Sequence, residues 1–213
     1  MSAPLDAERL AVLVHEVRSP VAALSAIAET IADPQLDASA RSELVRLAIS
    51  AGESVQRIVT DVAVASIRFE QIAPGSLVRD AAAAALLRGV RIEVDIATEL
   101  PLIQGDPQRL RQALDNLIAN AVVHSGSDGA VVIRGMADES LRISVSDAGV
   151  GIPPEEQERI FDIGVRVGGD PGGSGIGLAL TRAIVEGHGG ALAVASTPGE
   201  GASFTIVLPL GDR

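Results

Sequence analysis

Apolar residues in the first third of the chain recur at alternating spacings of four and three, which is the pattern of a coiled-coil seam. The seam positions are Leu10, Val14, Val17, Val21, Leu24, Ala28 and Ile31, then Leu44, Ala48, Ala51, Val55, Ile58, Val62, Ala65 and Phe69. The pattern predicts two long helices that form a hairpin. Because a lone hairpin leaves much of its apolar stripe open to water, we also expect a homodimer in which two hairpins form a four-helix bundle. On spacing alone, a coiled-coil stalk without chemistry is the ordinary interpretation.

Helical and strand-like segments alternate after about Glu70, which places a domain boundary there. Before it, Asp33-Pro34 ends the first helix, and Asp37 and Ser39 are candidate caps of the second. The predicted later helices are Ser76–Leu87, Asp106–His124 and Gly175–Gly187, and the predicted strands are Arg91–Ala97, Ala130–Gly135, Leu141–Ser146, Ala191–Ser196 and Ser203–Leu208. The predicted fold class is α+β, with a helical hairpin at residues 1–70 and an α/β sandwich at 71–213, whose mostly antiparallel sheet is covered on one face.

Composition excludes several classes of function. The net charge of −11 argues against a nucleic-acid partner, because binding phosphates needs a basic face. The absence of cysteine excludes disulfides, zinc–thiolate sites and thiol catalysis. No stretch approaches the roughly 20 apolar residues that a membrane-spanning helix needs, and the N-terminus lacks an apolar signal core. The sequence therefore predicts a cytoplasmic protein without membrane insertion.

His15 and Glu16 stand at the start of the string HEVRSP on the first predicted helix. A neutral imidazole nitrogen can attack phosphorus, and a neighbouring carboxylate can orient or deprotonate the other nitrogen. By itself, an ordinary surface histidine is the better interpretation. The zinc motif HExxH is excluded because Ser19 stands where the second histidine is required.

Asn116 and Asn120 are four residues apart and therefore share one face of the predicted helix Asp106–His124. Their amide oxygens can bind Mg²⁺, a hard cation that shares the phosphates of its ligand, and Arg109 and Gln112 extend the polar face. A pair of surface asparagines is the ordinary alternative. Asparagine is nevertheless a poor helix former, so two on one face call for an explanation.

Asp147 follows an apolar strand and precedes a glycine turn containing Gly149 and Gly151. A carboxylate there can accept a hydrogen bond from an adenine amino group, and the glycines let a planar ring approach the backbone; a plain Asp-Ala-Gly turn is the alternative. Farther on, three glycines lead into a helix and offer amides and a helix dipole to phosphates, namely Gly173, Gly175 and Gly177. The absence of a preceding strand excludes a Rossmann fingerprint, and the absence of lysine excludes a P-loop.

In their order along the chain, these strings resemble the H box, N box and two glycine boxes of histidine kinases. The resemblance covers nearly the whole chain. It implies that the hairpin dimerises and carries the phosphorylated residue at His15, and that the second domain is a Bergerat-type ATP-binding fold. In that fold Asn116 and Asn120 would bind Mg²⁺ and the phosphates of ATP, and Asp147 would form a hydrogen bond to adenine. The implied partner is the receiver domain of a response regulator, whose aspartate takes the phosphoryl group.

The resemblance extends to an F box, matched by Phe161 and Arg166, and to an ATP lid at Gly164–Gly172. The chain departs from the family where Val123 replaces a basic residue, although His124 keeps the neighbouring ring-bearing position. Gly164 and Val165 replace two aromatic residues of the F box, which predicts a more mobile lid and weaker ATP binding. Ser19 replaces the threonine or asparagine that positions water for dephosphorylating the regulator, so a phosphatase activity would depend on its hydroxyl.

Two other interpretations remain open from the sequence. One is a non-enzymatic phosphotransferase or docking scaffold with a decayed nucleotide pocket, which Val123 and the thin F box allow. The other is a different Bergerat-type protein, such as a gyrase-type ATPase or an anti-sigma serine kinase, which the hairpin bearing HEVRSP disfavours. Since no sensory segment precedes the hairpin, we expect either a short kinase that is signalled by a separate sensor protein or a fragment of a longer chain.

Overall fold

The computed structural model describes residues 7–33, 36–65, 67–125, 129–162, 165 and 176–210. The chain divides into two compact units, Met1–Val62 and Ala63–Arg213. In the part of the chain that is described, no helix is both long enough and apolar enough to cross a membrane.

The first unit is the predicted helical hairpin. Its helices are α1, Ala7–Ile31, and α2, Ala38–Ala65. A carboxylate oxygen of Asp37 accepts a hydrogen bond from the backbone N–H of Ala40 at 2.8 Å, so Asp37 caps α2 as predicted. Ser39, the other candidate, lies inside the helix instead.

The predicted seam is confirmed along the described middle of α2 and at three positions of α1, and needs correction at two others. Leu44, Ala48, Ala51, Val55 and Ile58 are all partly buried. In α1, the predicted seam residues Val17, Leu24 and Ile31 are partly buried, but Val21 and Ala28 are exposed. Ile27, which the seam did not include, is buried among the described side chains of α1. The helix α1 carries apolar residues on more than one side. Spacings of three and four fit each of these sides, so the sequence pattern did not show which apolar residues are buried.

The seam prediction was wrong at Phe69. The helix α2 ends at Ala65, and Phe69 belongs to the second unit, where its ring contacts the ring of His188 at a centroid distance of 5.3 Å. An aromatic residue that continues a heptad spacing cannot be distinguished by spacing alone from one that anchors a connecting segment.

The second unit begins with the last three residues of α2 and contains three further α-helices, two single-turn 3-10 helices and seven strands in its described residues. The helices are α3, Pro74–Leu86, α4, Pro107–His124, and α5, Gly177–Gly187. The strands are β1, Glu70–Ile72, β2, Ile92–Ile96, β3, Ile103–Gly105, β4, Val131–Ala137, β5, Ser140–Ser146, β6, Ala191–Thr197, and β7, Gly201–Pro209. Five strands form one sheet in the order β2-β4-β5-β7-β6, antiparallel except for the parallel pair β2–β4.

The predicted α/β sandwich is confirmed, with its core between the helices and one face of the sheet. Side chains alternate along β5, where Leu141, Ile143 and Val145 are buried and the intervening residues are only partly so. Leu114 and Leu117 of α4 pack into the same core. Two short strands, β1 and β3, were not predicted; they pair with each other as a separate antiparallel ribbon.

Candidate functional site

The helix α4 is the scaffold on which the candidate site is built. It begins at Pro107 after the cap residue Asp106, a combination that favours helix initiation because proline needs no N–H partner in the first turn. One side of α4 is buried in the core, through Leu110, Leu114 and Leu117, and Ile118 packs beside them. Since this side is held by the sheet, the polar face is fixed in direction as well.

Asn116 connects the polar face of α4 to the beginning of α5. Its side-chain nitrogen donates to the carbonyl oxygen of Gly177 at a donor–acceptor distance of 3.4 Å. Because an amide side chain carries a donor and an acceptor, this contact leaves the oxygen of Asn116 available to a ligand. Asn120 lies one turn farther along, partly buried, and its amide has no hydrogen-bond partner within the described residues.

Asp147 is a buried carboxylate at the end of β5. The residue is only 9% exposed, and one oxygen, Oδ1, accepts the backbone N–H of Gly149 at 2.9 Å. Its own N–H donates to the carbonyl oxygen of Ala202 at 2.9 Å, so its position is fixed by β7. Within the described residues the second oxygen, Oδ2, has no hydrogen-bond partner, and a buried carboxylate oxygen needs a donor.

The loop after Asp147 is packed too closely for side chains at its glycines. A Cβ at Gly149 would lie 2.1 Å from the carbonyl oxygen of His124, at the end of α4. Gly151 has a φ of +69°, and a Cβ there would lie 2.1 Å from the carbonyl oxygen of Thr197. The structure therefore brings together Asp147 and the end of α4, as a site running from His124 towards Asn116 requires.

Ser196 and Gln157 hold this loop from the other side, and sequence reasoning missed both. The hydroxyl of Ser196 accepts the N–H of Ile152 at 2.8 Å and donates to the carbonyl oxygen of Gly201 at 2.6 Å. The amide nitrogen of Gln157 donates to the carbonyl oxygens of Ile152 and Ser196, at 3.0 and 2.9 Å. Two of these four contacts, Ile152 to Ser196 and Gln157 to Ser196, join residues 44 and 39 positions apart, and no local pattern signals them.

Phe161, the predicted F-box residue, anchors the segment that leads to the predicted lid. Its ring meets Phe204 edge-on at 6.3 Å, and the guanidinium of Arg182 lies 5.9 Å above the ring centroid. Arg166, Gly164, Gly173 and Gly175 lie outside the described residues, as does all of the predicted lid except Val165. Gly177 is described and begins α5.

The predicted phosphoacceptor residues belong to the first unit. His15, Glu16 and Ser19 lie within α1, and the side chain of Ser19 is exposed. Pro20 follows them inside the same helix, where it removes one backbone hydrogen bond. The roles of these residues stay predictions.

Among the described buried residues of the second unit, Asp106 has a pKa that the fold clearly changes. Burial by itself raises the pKa of its carboxyl, but the backbone N–H groups of Arg68, Arg109 and Gln108 and the charge of Arg109 together outweigh burial and lower that pKa. The carboxylate form is therefore favoured. Asp106 lies next to His188, a buried histidine to which no role was assigned from the sequence.

Residues 105–212 match the family described as histidine kinase-, DNA gyrase B- and HSP90-like ATPases. This stretch contains the whole of α4, the Asp147 loop and α5.

Known proteins resemble the chain beyond that domain. It is 35% identical, over 96% of its length, to the adaptive-response sensory kinase SasA of Prochlorococcus marinus, of which it covers 57%. The crystal structure of full-length ShkA in complex with AMPPNP superposes on 97% of the chain and 46% of ShkA, with a TM-score of 0.66 and 29% identity. The mycobacterial sensor histidine kinase MprB matches 67% of the chain and 97% of the solved MprB chain, with a TM-score of 0.58 and 30% identity. The chain thus spans little more than half of its relative SasA.

Proposed function

Because the chain belongs to the family of histidine kinase-, DNA gyrase B- and HSP90-like ATPases, and its relatives are sensor histidine kinases, we propose that it transfers the γ-phosphoryl group of ATP to His15 and then to an aspartate of a response regulator. The ATP-binding domain is the second unit, and the acceptor is on α1 of the first.

The observation that carries the proposal is that Oδ2 of the buried Asp147 has no hydrogen-bond partner among the described residues. A buried carboxylate whose Oδ1 is already bonded to Gly149 offers Oδ2 to a ligand donor. The exocyclic amino group of adenine is such a donor, and the close packing of the loop at Gly149 and Gly151 helps to hold the carboxylate in one position. The solved relative ShkA holds an adenine nucleotide analogue, AMPPNP.

The phosphates would lie along the polar face of α4, away from the end at which the Asp147 loop contacts His124. Asn116 and Asn120 present amide oxygens, hard donors of the kind that Mg²⁺ takes when phosphates and water complete its shell. The donor set therefore fits Mg²⁺, which supplies neutralisation of phosphate charge when it is bound. Asn116 also contacts Gly177 at the start of α5, where the backbone amides of the first helical turn and the helix dipole favour an anion. Arg166, Gly173 and Gly175 are proposed to complete the phosphate contacts.

In the transfer step a ring nitrogen of His15 forms a bond to the γ-phosphorus while the bond from that phosphorus to the bridging oxygen of ADP breaks. The neighbouring carboxylate of Glu16 takes the proton from the other ring nitrogen, so the imidazole that attacks remains electron-rich. The protein contributes mainly position and charge stabilisation, as phosphoryl transfer generally requires. Phosphorylated His15 then gives the group to a carboxylate oxygen of the receiver aspartate.

The hairpin is proposed to work as a homodimer. Several large apolar residues of the first unit are exposed in the single chain, namely Val21, Val45, Leu47 and Ile49. Burying such side chains is favourable, and a four-helix bundle of two hairpins does so. Ser19, exposed on the same helix as His15, is proposed to position water when the regulator is dephosphorylated.

The test compares the wild-type chain with His15→Ala and Asp147→Asn, using radiolabelled ATP, Mg²⁺ and direct measurement of nucleotide binding. We expect His15→Ala to bind ATP normally but to lose labelling. Asp147→Asn should weaken binding by about tenfold or more, because a hydrogen bond to a charged acceptor is lost. Ser25→Ala on α1 and Asp138→Asn on the β4–β5 turn are matched controls that should label as wild type.

Two outcomes would replace the proposal. A wild-type chain that binds no adenine nucleotide would favour a phosphotransfer or docking scaffold with a decayed pocket. Labelling that persists in His15→Ala would place the acceptor on another residue.

A further inference from the structure

We propose that Asp106 and His188 fasten the segment Arg68–Ile72 to the ATP-binding domain and are thereby positioning residues for phosphoryl transfer to His15. We call this arrangement of Asp106, His188, Arg68 and Phe69 the linker clip. The inference rests on the proposed function, since it concerns how the domain that holds ATP is joined to the helices that hold the acceptor.

The carboxylate of Asp106 makes two kinds of contact at once. Its Oδ1 accepts the N–H groups of Gln108 and Arg109, at 3.0 and 3.1 Å, and so caps α4. Its Oδ2 accepts the N–H of Arg68 at 2.9 Å, a contact between residues 38 positions apart. The residue is only 7% exposed, so losing either contact would leave a buried donor or acceptor unpaired.

His188 holds the other side of Asp106. Its Nε2 lies 2.9 Å from the backbone nitrogen of Asp106, whose N–H can only donate. The ring proton must therefore be on Nδ1, which donates to the carbonyl oxygen of Ile184 at 2.7 Å. Both nitrogens of this buried ring are thus used for structure, and the exposed ring of Phe69 rests against it.

Strand pairing continues the attachment. The residues just after Phe69 form β1, in which Glu70, Gln71 and Ile72 pair with Gly105, Gln104 and Ile103 of β3. Asp106 follows β3 directly, so one short stretch holds the connecting segment by main-chain pairing and by the linker clip. The segment from Arg68 onward is therefore part of the ATP-binding domain, and any joint between the two units must lie before Arg68.

The position of that joint matters for the reaction. The domain that holds ATP has to bring the γ-phosphorus into line with a nitrogen of His15, and misplacement of reacting atoms by about 1 Å can cost up to about a hundredfold in rate. Each residue added to a free connection multiplies the number of orientations that the domain can adopt. By keeping the connection short, the linker clip raises the fraction of orientations that are productive.

Asp106→Asn separates this role from capping. Asparagine caps helices as well as aspartate does, so one oxygen can still accept from Gln108 and Arg109. The other oxygen becomes an NH₂ group that faces the N–H of Arg68, donor against donor. Phe69→Ala tests the same attachment without touching the cap, because Phe69 is 57% exposed and lies outside every helix. Asp138→Asn is the matched control, since Asp138 also accepts backbone N–H groups but lies on a distant turn.

The experiment measures backbone hydrogen exchange of residues 67–72, the dissociation constant of ATP, and the turnover number of autophosphorylation with its KM for ATP. In Asp106→Asn we expect exchange at Arg68–Ile72 to become at least about tenfold faster, because a charge-assisted hydrogen bond is lost. ATP binding and KM should stay within about twofold of wild type, while turnover falls by about threefold or more. Phe69→Ala should shift exchange and turnover in the same directions by smaller factors, and Asp138→Asn should change neither.

Unchanged exchange at Arg68–Ile72 in both variants would overturn the linker clip itself. Faster exchange with unchanged or increased turnover would overturn its role in positioning. The exchange measurement needs no kinase activity, so failure of the proposed function, seen as a wild-type chain that takes no label, is distinguishable from failure of this inference.

Discussion

Asp147 and Gly149 occupy neighbouring places in one loop and depend on each other. Oδ1 of Asp147 accepts the N–H of Gly149, and the α-carbon of Gly149 is pressed against the end of α4 at His124. The direction of the carboxylate is therefore set by a residue that must be glycine, because a side chain there would overlap the backbone of His124. The sequence identified both residues, because aspartate before a glycine turn at a strand end is a recognisable pattern, but it did not show this mutual dependence.

We expect Gly149→Ala to destabilise the second unit by about 1–3 kcal/mol, because the new methyl group would overlap the carbonyl oxygen of His124. It would also lie 2.9 Å from Oδ1 of Asp147, so ATP binding should weaken. Thermal unfolding and nucleotide titration measure the two effects. Gly52→Ala in α2 is the control, since a Cβ there meets no atom of the described residues within 4 Å and alanine favours the helix. Equal stability of the two variants would contradict the packing argument.

The lowered pKa of Asp106 predicts an acid dependence of stability. Its pKa is lower in the folded than in the unfolded chain, because backbone N–H groups and Arg109 stabilise the carboxylate more than burial disfavours it. The resulting stabilisation is present above the unfolded pKa, near pH 4, and is lost as pH falls through the folded pKa.

We therefore expect Asp106→Asn to lower the free energy of unfolding at pH 7 and to flatten its decline as the pH falls below about 4. Denaturant unfolding at a series of pH values measures this. If the variant and the wild type lose stability in parallel over that range, the Asp106 carboxylate is not the group responsible.

At the scale of elements, the turn between β6 and β7 supports the Asp147 loop. Ser196, near the end of β6, joins Ile152 to Gly201 through one hydroxyl group, and Gln157 bridges Ile152 and Ser196. The loop that would receive adenine is thus held by α4 on one side and by this turn on the other.

Ser196→Ala should leave two backbone groups without their partner, at a cost of about 1–3 kcal/mol, and should weaken adenine-nucleotide binding several-fold. Ser196→Thr keeps the hydroxyl and should restore much of the binding. Ser203→Ala is the matched control, because Ser203 bonds only to the hydroxyl of Ser146 among the described side chains. Calorimetric titration with ADP gives the affinities, and equal losses in Ser196→Ala and Ser203→Ala would remove the special role of the turn.

The long elements were predictable and the short ones were not. The helix α4 and strands β4 to β7 follow clear periods of 3.6 and 2, and the predicted ends lie within a few residues of those observed. The strands β1 and β3 have three residues each, too few for a period to be visible, and they exist because they pair with each other across the chain. The seam was extended to Phe69 because this residue continues the heptad spacing, although α2 ends at Ala65 and Phe69 contacts His188.

At the scale of the whole molecule, the sequence did not predict the polar contacts between residues that are far apart along the chain. The backbone N–H of Asp106 meets His188 across 82 positions, and the amide of Asn116 meets Gly177 across 61. Residue types and order were enough to place Asn116, Asn120 and Asp147 on the elements of one domain, because each lies within a local motif. The long-range partners, Gly177 for Asn116 and His188 for Asp106, are set by the fold and carry no local signal.

The exposed apolar residues of the first unit lead to a prediction about assembly. Val45 and Ile49 are four residues apart on α2 and therefore share a face; they are 46% and 56% exposed in the single chain. If two hairpins form a four-helix bundle, this face is buried, and placing a carboxylate there requires the charge to lose its water. We expect Ile49→Glu to raise the dimer dissociation constant by about a hundredfold or more. Leu87→Glu should not change it, because Leu87 is 90% exposed on the second unit.

Sedimentation equilibrium over a range of concentrations measures that constant directly. The wild-type chain and Leu87→Glu should sediment as dimers where Ile49→Glu sediments as a monomer, and circular dichroism should show whether the helices of the variant remain folded. A wild-type chain that stays monomeric at every concentration would contradict the bundle. A dimer that tolerates the glutamate would place the interface on another face of the hairpin, and the exposed Val21 of α1 is then the next position to change.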